Sequence, residues 1–202
     1  TDKKGHEWDR RLWVWDDVNS HWNYQKGDSV IVEIYSNCDE VELFVNGKSM
    51  GKKYIDDFED HIYKWAVRYK PGTITAKGKN KLGNTTTAIR TSGKEHSILL
   101  TVDKQSIAAN GKDVLHVTAQ LTDKKGNPVK TTEQMLKFNI DGEYRLLGID
   151  NGNVKNVSPY QSKDIMTYQG RCMLMLQSTE KSSVLNISGE TSELHSNKLT
   201  IN

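Results

Sequence analysis

The stretch Val41-Glu42-Leu43-Phe44-Val45-Asn46-Gly47-Lys48 decides the fold. Its first, third and fifth residues are apolar and share one face of an extended chain, which is the period of a half-buried β-strand. Asn46 and Gly47 tolerate the positive φ of a type I′ turn, and this pair is the strongest short-range signal for a hairpin. The sequence therefore predicts two antiparallel strands joined at this turn, with Gly51 as a bulge in the second strand.

Short alternating strands, separated by turns rich in Gly, Pro and Asn, continue along the chain. Only residues 6–17 are compatible with a helix, and a turn every 8–12 residues is typical of a β-sandwich. We therefore predict an all-β chain of two tandem immunoglobulin-like antiparallel β-sandwiches. The predicted strands cover residues 30–35, 41–45, 48–53, 63–67, 73–77 and 85–90, and then 97–102, 114–121, 138–140, 144–149, 165–168, 172–177, 183–188 and 194–201.

A polar stretch, Thr91-Ser92-Gly93-Lys94-Glu95, lacks an apolar period and divides the two sets of strands. The predicted domains are residues 25–92 and residues 96–202, preceded by a Trp-rich lead-in over residues 1–24. The start of the chain is polar and has neither a Met nor the apolar core of a signal peptide. We therefore expect the chain to be a piece of a longer protein.

The composition is that of a globular protein. Lys and Arg number 28 against 26 Asp and Glu, and the two signs are interspersed, giving a net charge of +2. A nucleic-acid-binding protein usually gathers its basic residues in a patch, and no such patch is evident. No apolar run approaches the roughly 20 residues that span a bilayer. We therefore predict neither a nucleic-acid partner nor a membrane span.

The polar residues do not form a recognisable catalytic or metal-binding pattern. Acidic residues fall mostly in predicted turns, and the six histidines show no metal-ligand spacing. His116 falls on the outward phase of its strand, so we expect it to face solvent. Cys38 and Cys172 fall one in each domain and are expected to be two buried thiols. No catalytic residue, metal or cofactor is predicted.

The sequence Asp150-Asn151-Gly152-Asn153 has two interpretations. It resembles part of a calcium loop, but it lacks the further oxygen ligands and the terminal Glu of an EF-hand. We favour a tight hairpin turn built on Asn-Gly, and weak calcium binding at Asp150 stays open.

Tryptophan is concentrated at the start of the chain, where four of the five tryptophans fall within the first 22 residues. Exposed indoles in a row would form a platform on which sugar rings stack. Alternatively, the segment packs against a neighbouring domain or against the first sandwich, since Trp and Tyr are typical of buried interfaces. The candidate residues for carbohydrate binding or interdomain docking are Trp13, Trp15, Trp22 and Tyr24.

Longer motifs in the first half resemble the segment that follows the catalytic barrel in family 2 glycoside hydrolases, closest to the bacterial β-galactosidase and β-glucuronidase branch. They are His21-Trp22-Asn23-Tyr24, the run from Asn37 to Gly51 containing Glu40-Val41-Glu42-Leu43-Phe44-Val45-Asn46-Gly47-Lys48, and Trp65-Ala66-Val67-Arg68-Tyr69-Lys70-Pro71-Gly72. Tyr24 departs from the family pattern, which usually has Trp there. In the second half, Ile107-Ala108-Ala109-Asn110-Gly111-Lys112-Asp113 and Gly148-Ile149-Asp150-Asn151-Gly152 resemble the last domain of the same enzymes.

The resemblance implies a parent enzyme that removes a terminal β-linked sugar with two carboxylates on an upstream barrel. No residue of this chain matches either carboxylate motif. The resemblance therefore implies that this chain is an ancillary, non-catalytic C-terminal region whose partner is the barrel of the same polypeptide, with the lead-in as its docking strap. It also gives bacterial periplasm or cell surface as the expected location, and it leaves a homo-oligomeric parent open.

Two other functions stay open. The chain could be a carbohydrate-binding module that holds an oligo- or polysaccharide through its tryptophans. It could also be an immunoglobulin-like repeat of a bacterial surface adhesin, since such repeats share the pattern of Asp123-Lys124-Lys125-Gly126-Asn127-Pro128-Val129.

Overall fold

The computed structural model describes residues 19–202, and the helix considered for residues 6–17 lies outside them. The described residues contain fourteen β-strands and a single 3₁₀ turn at Ile55–Asp57, with no α-helix. Every strand pair is antiparallel. The strands form two successive sandwiches, which confirms the predicted fold class.

The first domain sets a four-stranded sheet against a two-stranded one. The strand orders are β3-β2-β5-β6 and β1-β4. Because the smaller sheet cannot cover the larger one, β6 is exposed along its whole length. The strands are β1 (Ser29–Ile34), β2 (Glu40–Val45), β3 (Lys48–Tyr54), β4 (Tyr63–Arg68), β5 (Thr73–Asn80) and β6 (Gly83–Arg90).

The hairpin predicted between β2 and β3 is confirmed. Asn46 and Gly47 have φ values of 51° and 80°, as a type I′ turn requires. The register of the two strands shifts between Glu42, which pairs with Lys52, and Phe44, which pairs with Ser49. Gly51 lies within the part of β3 where this shift occurs. Gly51 has a φ of 99°, so the bulge that its position predicted is also confirmed.

Aromatic side chains fill the core of the first domain. The alternating apolar residues of β2 and β5 point inwards and meet the inward residues of β4 and the partly buried residues of β1. Trp22 joins them from the segment before β1. The buried set is Trp22, Cys38, Val41, Leu43, Val45, Tyr63, Trp65, Val67, Tyr69, Ile74 and Ala76.

The second domain is a complete sandwich of two four-stranded sheets. Their strand orders are β10-β12-β8-β7 and β11-β9-β13-β14. The strands are β7 (Glu95–Val102), β8 (Val114–Asp123), β9 (Met135–Asp141), β10 (Tyr144–Asp150), β11 (Asp164–Met166), β12 (Arg171–Ser178), β13 (Leu185–Glu190) and β14 (Leu199–Ile201).

Aliphatic side chains dominate the core of this second domain, and Phe138 is the one large aromatic residue among its fully buried members. Cys172 lies in this core and Cys38 in the other, and both are free thiols, as predicted. Burial raises the pKa of the Cys172 thiol to about 12. The core is formed by Ile98, Leu100, Leu115, Val117, Ala119, Leu121, Val129, Leu136, Phe138, Ile149, Ile165, Cys172, Leu174, Leu176, Leu185, Ile187 and Ile201.

The tight hairpin expected at Asn151-Gly152 is wrong. Gly152 does have a positive φ, 76°, but β10 pairs with β12, and the next strand along the chain, β11, belongs to the other sheet. Residues 151–163 therefore form a loop that crosses between the two sheets. A local turn signal fixes the direction of the chain at one point and cannot determine which strand becomes the hydrogen-bond partner.

Candidate functional site at the domain junction

Three segments meet where the two domains join. Residues 91–94 connect the end of β6 to the start of β7, and residues 19–24 run beside them before β1 begins. The turn at residues 123–129 leaves the end of β8 in the second domain. Trp22 and Tyr24, the two candidate residues that the structure describes, lie here together with the polar contacts between the domains.

Trp22 is the candidate residue whose side chain the structure places most firmly. It is only 2% exposed, and its Nε1 donates a hydrogen bond to the carbonyl oxygen of Lys70 at 3.2 Å. Its ring makes edge contacts with Tyr69 and Tyr24, at centroid distances of 5.2 and 5.9 Å. Of the alternatives stated above, Trp22 packs against the first sandwich, and it has no exposed face for a sugar ring. Trp13 and Trp15 lie outside the described residues.

The segment before β1 is fastened to the linker. Asn23 Nδ2 donates to the carbonyl oxygen of Ser92 at 2.9 Å, and the Ser92 amide donates to Asn23 Oδ1 at 3.1 Å. Thr91 Oγ1 donates to the carbonyl oxygen of Trp22 at 2.7 Å, and Thr91 Oγ1 itself accepts a hydrogen bond from the Gly72 amide. These bonds fix the linker against the first domain.

The same segment also reaches the second domain. Lys130 Nζ donates to both the carbonyl oxygen and the Oγ of Ser20, each at 2.9 Å. Burial lowers the pKa of Lys130, and the charge of Arg171 lowers it further. Residues 19–24 thus bind both sandwiches. We call the set Ser20, Trp22, Asn23, Thr91, Ser92 and Lys130 the junction clasp.

Asp123 anchors the linker from the other side. Its carboxylate is buried and accepts hydrogen bonds from the amides of Gly93, Lys125 and Asn127, at 2.9, 2.8 and 2.9 Å, and from Asn127 Nδ2 at 3.0 Å. The bond from Gly93 and those from the turn hold the pKa of this carboxyl well below its usual range, against the opposing effect of burial. Asp123 therefore stays ionised and connects its own turn to the linker between the domains.

A cleft of about 1070 Å³ opens between the domains beside the clasp. Its lining includes the linker, the Asp123 turn and the ends of β5 and β6. Four of its side chains are exposed cations that make no hydrogen bond or ion pair with any residue from 19 to 202: Arg90, Lys94, Lys124 and Lys125.

The carboxylates of the cleft are not arranged as a catalytic pair. Asp123 is saturated with donors, and Glu95 accepts hydrogen bonds from Thr132 Oγ1 at 3.4 Å and Gln134 Nε2 at 3.3 Å. A glycosidase needs one carboxyl group free to donate a proton and another free to attack or activate water. Only Glu193 is an exposed carboxylate among the described lining residues.

The other polar groups considered from the sequence are separate from this junction. His116 is partly exposed on β8, and its Nδ1 lies 2.8 Å from Asp103 Oδ2. Asp150 Oδ1 accepts the Asn151 amide at 2.8 Å and caps its own turn. Over residues 19–202, no three His, Cys, Asp or Glu side chains gather as metal ligands. The same residues include no apolar helix of membrane-spanning length.

Comparison with known families places both halves of the chain. The family model described as glycoside hydrolase family 2 C-terminal domain 5 matches residues 98–200, more than half of the chain. The chain belongs to glycoside hydrolase family 2. A second model, described as a domain of unknown function (DUF4982), matches residues 27–87 of this family 2 chain.

Relatives of the family 2 chain are much longer than it is. It is 34% identical over 164 residues to beta-galactosidase BoGH2A of Bacteroides ovatus, a match that covers 80% of this chain and 19% of that protein. It is 30% identical over 139 residues to a putative beta-glucuronidase of Formosa agariphila, covering 66% of this chain and 13% of the relative. The family 2 chain therefore spans about a fifth or less of these relatives.

Solved structures of the family share its arrangement of strands. A family 2 glycosyl hydrolase from Bacteroides cellulosilyticus superposes with a TM-score of 0.82 at 30% identity, covering 94% of this chain and 25% of that one. A beta-glycosidase from Bacteroides vulgatus gives a TM-score of 0.82 at 34% identity, covering 90% of this chain and 24% of the neighbour. Both superpositions extend over the two sandwiches together. The resemblance inferred from the motifs is thus confirmed.

The junction clasp was only partly accessible to sequence reasoning. The aromatic cluster drew attention to Trp22 and Tyr24, but the residues that join the domains are ordinary polar ones: Ser20, Asn23, Ser92, Asp123 and Lys130. Asp123 did have a signal, because it opens a Gly- and Pro-containing turn at the end of a clean strand. Nothing in the local pattern indicated that its carboxylate would bind Gly93, thirty residues earlier.

Proposed function

We propose that this chain is an ancillary region of a family 2 glycoside hydrolase that positions the catalytic domain and takes no part in bond cleavage. The observation that carries the proposal is the junction clasp. A segment that leads into the first domain is bonded to both sandwiches before β1 begins. A domain attached ahead of that segment would be held against two bodies at once.

The clasp suits this role because its bonds are spread over three elements. Trp22 inserts into the first core, Asn23 pairs with the linker, and Ser20 is held by Lys130 of the second domain. Swinging one domain away from the other would break both bonds from Lys130 to Ser20 and the bond from the Gly93 amide to Asp123. The two sandwiches would therefore behave as one support for whatever precedes them.

The whole protein is proposed to remove a terminal β-linked sugar. Support comes from the names of the relatives, beta-galactosidase and beta-glucuronidase. In enzymes that retain configuration, two carboxylates about 5 Å apart carry out the reaction, and the proposal assigns both to the upstream catalytic barrel. A location in the bacterial periplasm or at the cell surface, and a homo-oligomeric parent, belong to the same proposal.

The first experiment assays the 202-residue chain alone with nitrophenyl β-D-galactoside and nitrophenyl β-D-glucuronide. We expect no hydrolysis above the blank, because the carboxylates of the interdomain cleft do not form a free pair and no residue of the chain matches either catalytic carboxylate motif. Hydrolysis that survives purification to homogeneity would show that the chain is itself an enzyme and would end the proposal.

The second experiment tests positioning in the full-length enzyme with the double variant Asn23→Ala, Lys130→Ala. The two substitutions remove at least four hydrogen bonds, each worth about 1 kcal/mol, so the temperature of half-inactivation should fall by roughly 8–16 °C. The matched control is Asn84→Ala, which removes an exposed amide on β6 outside the clasp. If the double variant inactivates at the same temperature as this control, the clasp does not support the catalytic domain.

A further inference from the structure

The walls of the interdomain cleft are held by partly buried hydrogen bonds and not by the side chains at its mouth. Thr91 is bonded to the Trp22 carbonyl and the Gly72 amide, and Asp123 is bonded to the Gly93 amide. These contacts fix the backbone of the linker on one side and of the turn on the other. The cleft is therefore preformed, which lowers the cost of ordering its walls around a ligand.

The cations at the mouth come from three separate elements. Arg90 ends β6, Lys94 lies in the linker, and Lys124 and Lys125 follow Asp123 in the turn. The Lys125 amide is bonded to Asp123, so the backbone of that turn is fixed while both ammonium groups are exposed. Four cations thus line one opening, and none of them has an ion-pair or hydrogen-bond partner for its side chain among residues 19–202.

The acidic groups of the lining leave most of this positive charge uncompensated. The Asp123 carboxylate accepts four N–H hydrogen bonds, and the Glu95 carboxylate accepts hydrogen bonds from Thr132 and Gln134. Glu193 is the one exposed carboxylate among the described lining residues, against four exposed cations. The side chains free to meet a ligand therefore favour an anion.

The size and the remaining chemistry of the cleft narrow the choice of anion. At about 1070 Å³ the cleft is slightly above the usual range of small-molecule sites, and it is far larger than a single inorganic ion. Thr73 and Asn127 supply uncharged partners for hydroxyl groups. The described lining contains no Trp, Tyr or Phe, so stacking of nucleobases or of neutral sugar rings has no platform.

We propose that the interdomain cleft binds an anionic oligosaccharide, with Arg90, Lys94, Lys124 and Lys125 contacting its carboxylate or sulfate groups. Arginine forms planar, two-bonded contacts with such groups, and lysine adds a mobile point charge. The proposal rests on the proposed function in that a support beside a glycosidase would meet glycan chains. It adds a binding site that the positioning role does not need.

The test measures binding to the full chain by isothermal titration calorimetry at low and high salt. The probes are a trigalacturonate for carboxylates, a heparin-derived tetrasaccharide for sulfates, neutral cellotriose, and a tetrathymidylate as a nucleic-acid polyanion. The variant is Lys124→Glu, Lys125→Glu. The matched control is Lys112→Glu, which lies at the opposite end of the ten-residue strand β8, roughly 30 Å away.

We expect at least one anionic sugar to bind, cellotriose not to bind, and the affinity to fall with added salt because the contacts are exposed. The double lysine variant should weaken binding about tenfold, since it removes two exposed attractions and adds two repulsions. Lys112→Glu should leave the affinity within about twofold. The carboxylate and sulfate probes then show which group the cleft prefers.

The proposal is overturned if neither anionic sugar binds, if cellotriose binds as tightly, or if Lys112→Glu matches the loss of the double variant. Equal binding of tetrathymidylate would make the cleft a general polyanion surface and would overturn it as well. These variants leave every clasp residue unchanged. A failure here is therefore distinct from a failure of the positioning role, which is measured by heat inactivation of the full-length enzyme.

Discussion

The two sandwiches reach a closed core by different means. In the second domain, two four-stranded sheets cover each other, and strand residues supply nearly all of a mainly aliphatic interior. In the first domain, two strands face four, and large rings fill the space that further strands would occupy. One of those rings, Trp22, comes from outside the sheets.

The difference shows where each domain depends on its surroundings. The second domain closes with residues of its own strands, so its stability should be insensitive to what precedes it. The core of the first domain includes Trp22, which lies before β1 in the same segment as Ser20 and Asn23 of the junction clasp. The core of this domain and its attachment to the second domain are therefore coupled through a few neighbouring residues.

The largest effect expected within this comparison is that of Phe138→Ala. Phe138 is fully buried between the sheets of the second domain, and truncating such a ring costs about 3–5 kcal/mol of unfolding free energy. Because Trp22 and Trp65 are the tryptophans of the described residues and both lie in the first core, their fluorescence reports the first domain, whereas far-UV circular dichroism reports both. Urea titration should show the dichroism transition shifted to lower urea while the fluorescence transition stays in place.

Leu82→Ala is the control for that experiment, because its side chain is 92% exposed in the turn before β6. It should shift neither transition appreciably. If Phe138→Ala moves the fluorescence transition as far as the dichroism transition, the two domains unfold as one unit, and the contrast between a self-contained and a dependent sandwich does not hold.

A smaller loss, about 3 kcal/mol, is expected for Trp22→Ala, which leaves a cavity in the first core and removes the bond to the Lys70 carbonyl. Trp22→Phe keeps a ring in place and should cost less, because it loses mainly that bond and part of the packing. With Trp65 as the remaining fluorophore of the described core, urea titration should show the first-domain transition at lower urea, while the transition of the second domain is unchanged. Equal midpoints for wild type and Trp22→Ala would show that the first domain closes without its lead-in.

Local patterning predicted the strands because burial on one face imposes its period directly on the residues. β2 and β8 alternate so regularly that their inward faces were evident, and Asn46-Gly47 specified its turn through backbone sterics alone. Family motifs then placed both halves correctly. What the pattern could not supply were partners distant in sequence, such as the Trp22 bond to Lys70 and the crossing of residues 151–163 to another sheet. Such partners are determined by the tertiary arrangement of the strands, which local patterns do not encode.

The smallest expected effect, about 2 kcal/mol, is that of Asp123→Asn, and it tests the point at which the two domains meet. The substitution keeps the shape of the side chain but replaces an acceptor oxygen by an amide N–H that faces the donors of Gly93 and the turn.

Because the Asp123 carboxyl has a lowered pKa in the folded state, its stabilisation is complete above the unfolded pKa of about 4 and is lost as pH falls below that value. From pH 5 to pH 2, wild type should therefore lose more stability than Asp123→Asn, so the two curves converge. The exposed Asp141→Asn is the control, and at neutral pH it should change the stability little. Since Asp123 belongs to the second domain and Gly93 to the linker, Asp123→Asn should lower the dichroism midpoint more than the fluorescence midpoint. An equal shift of both midpoints would place the contribution of Asp123 in the coupling between the domains and not in the turn of the second one.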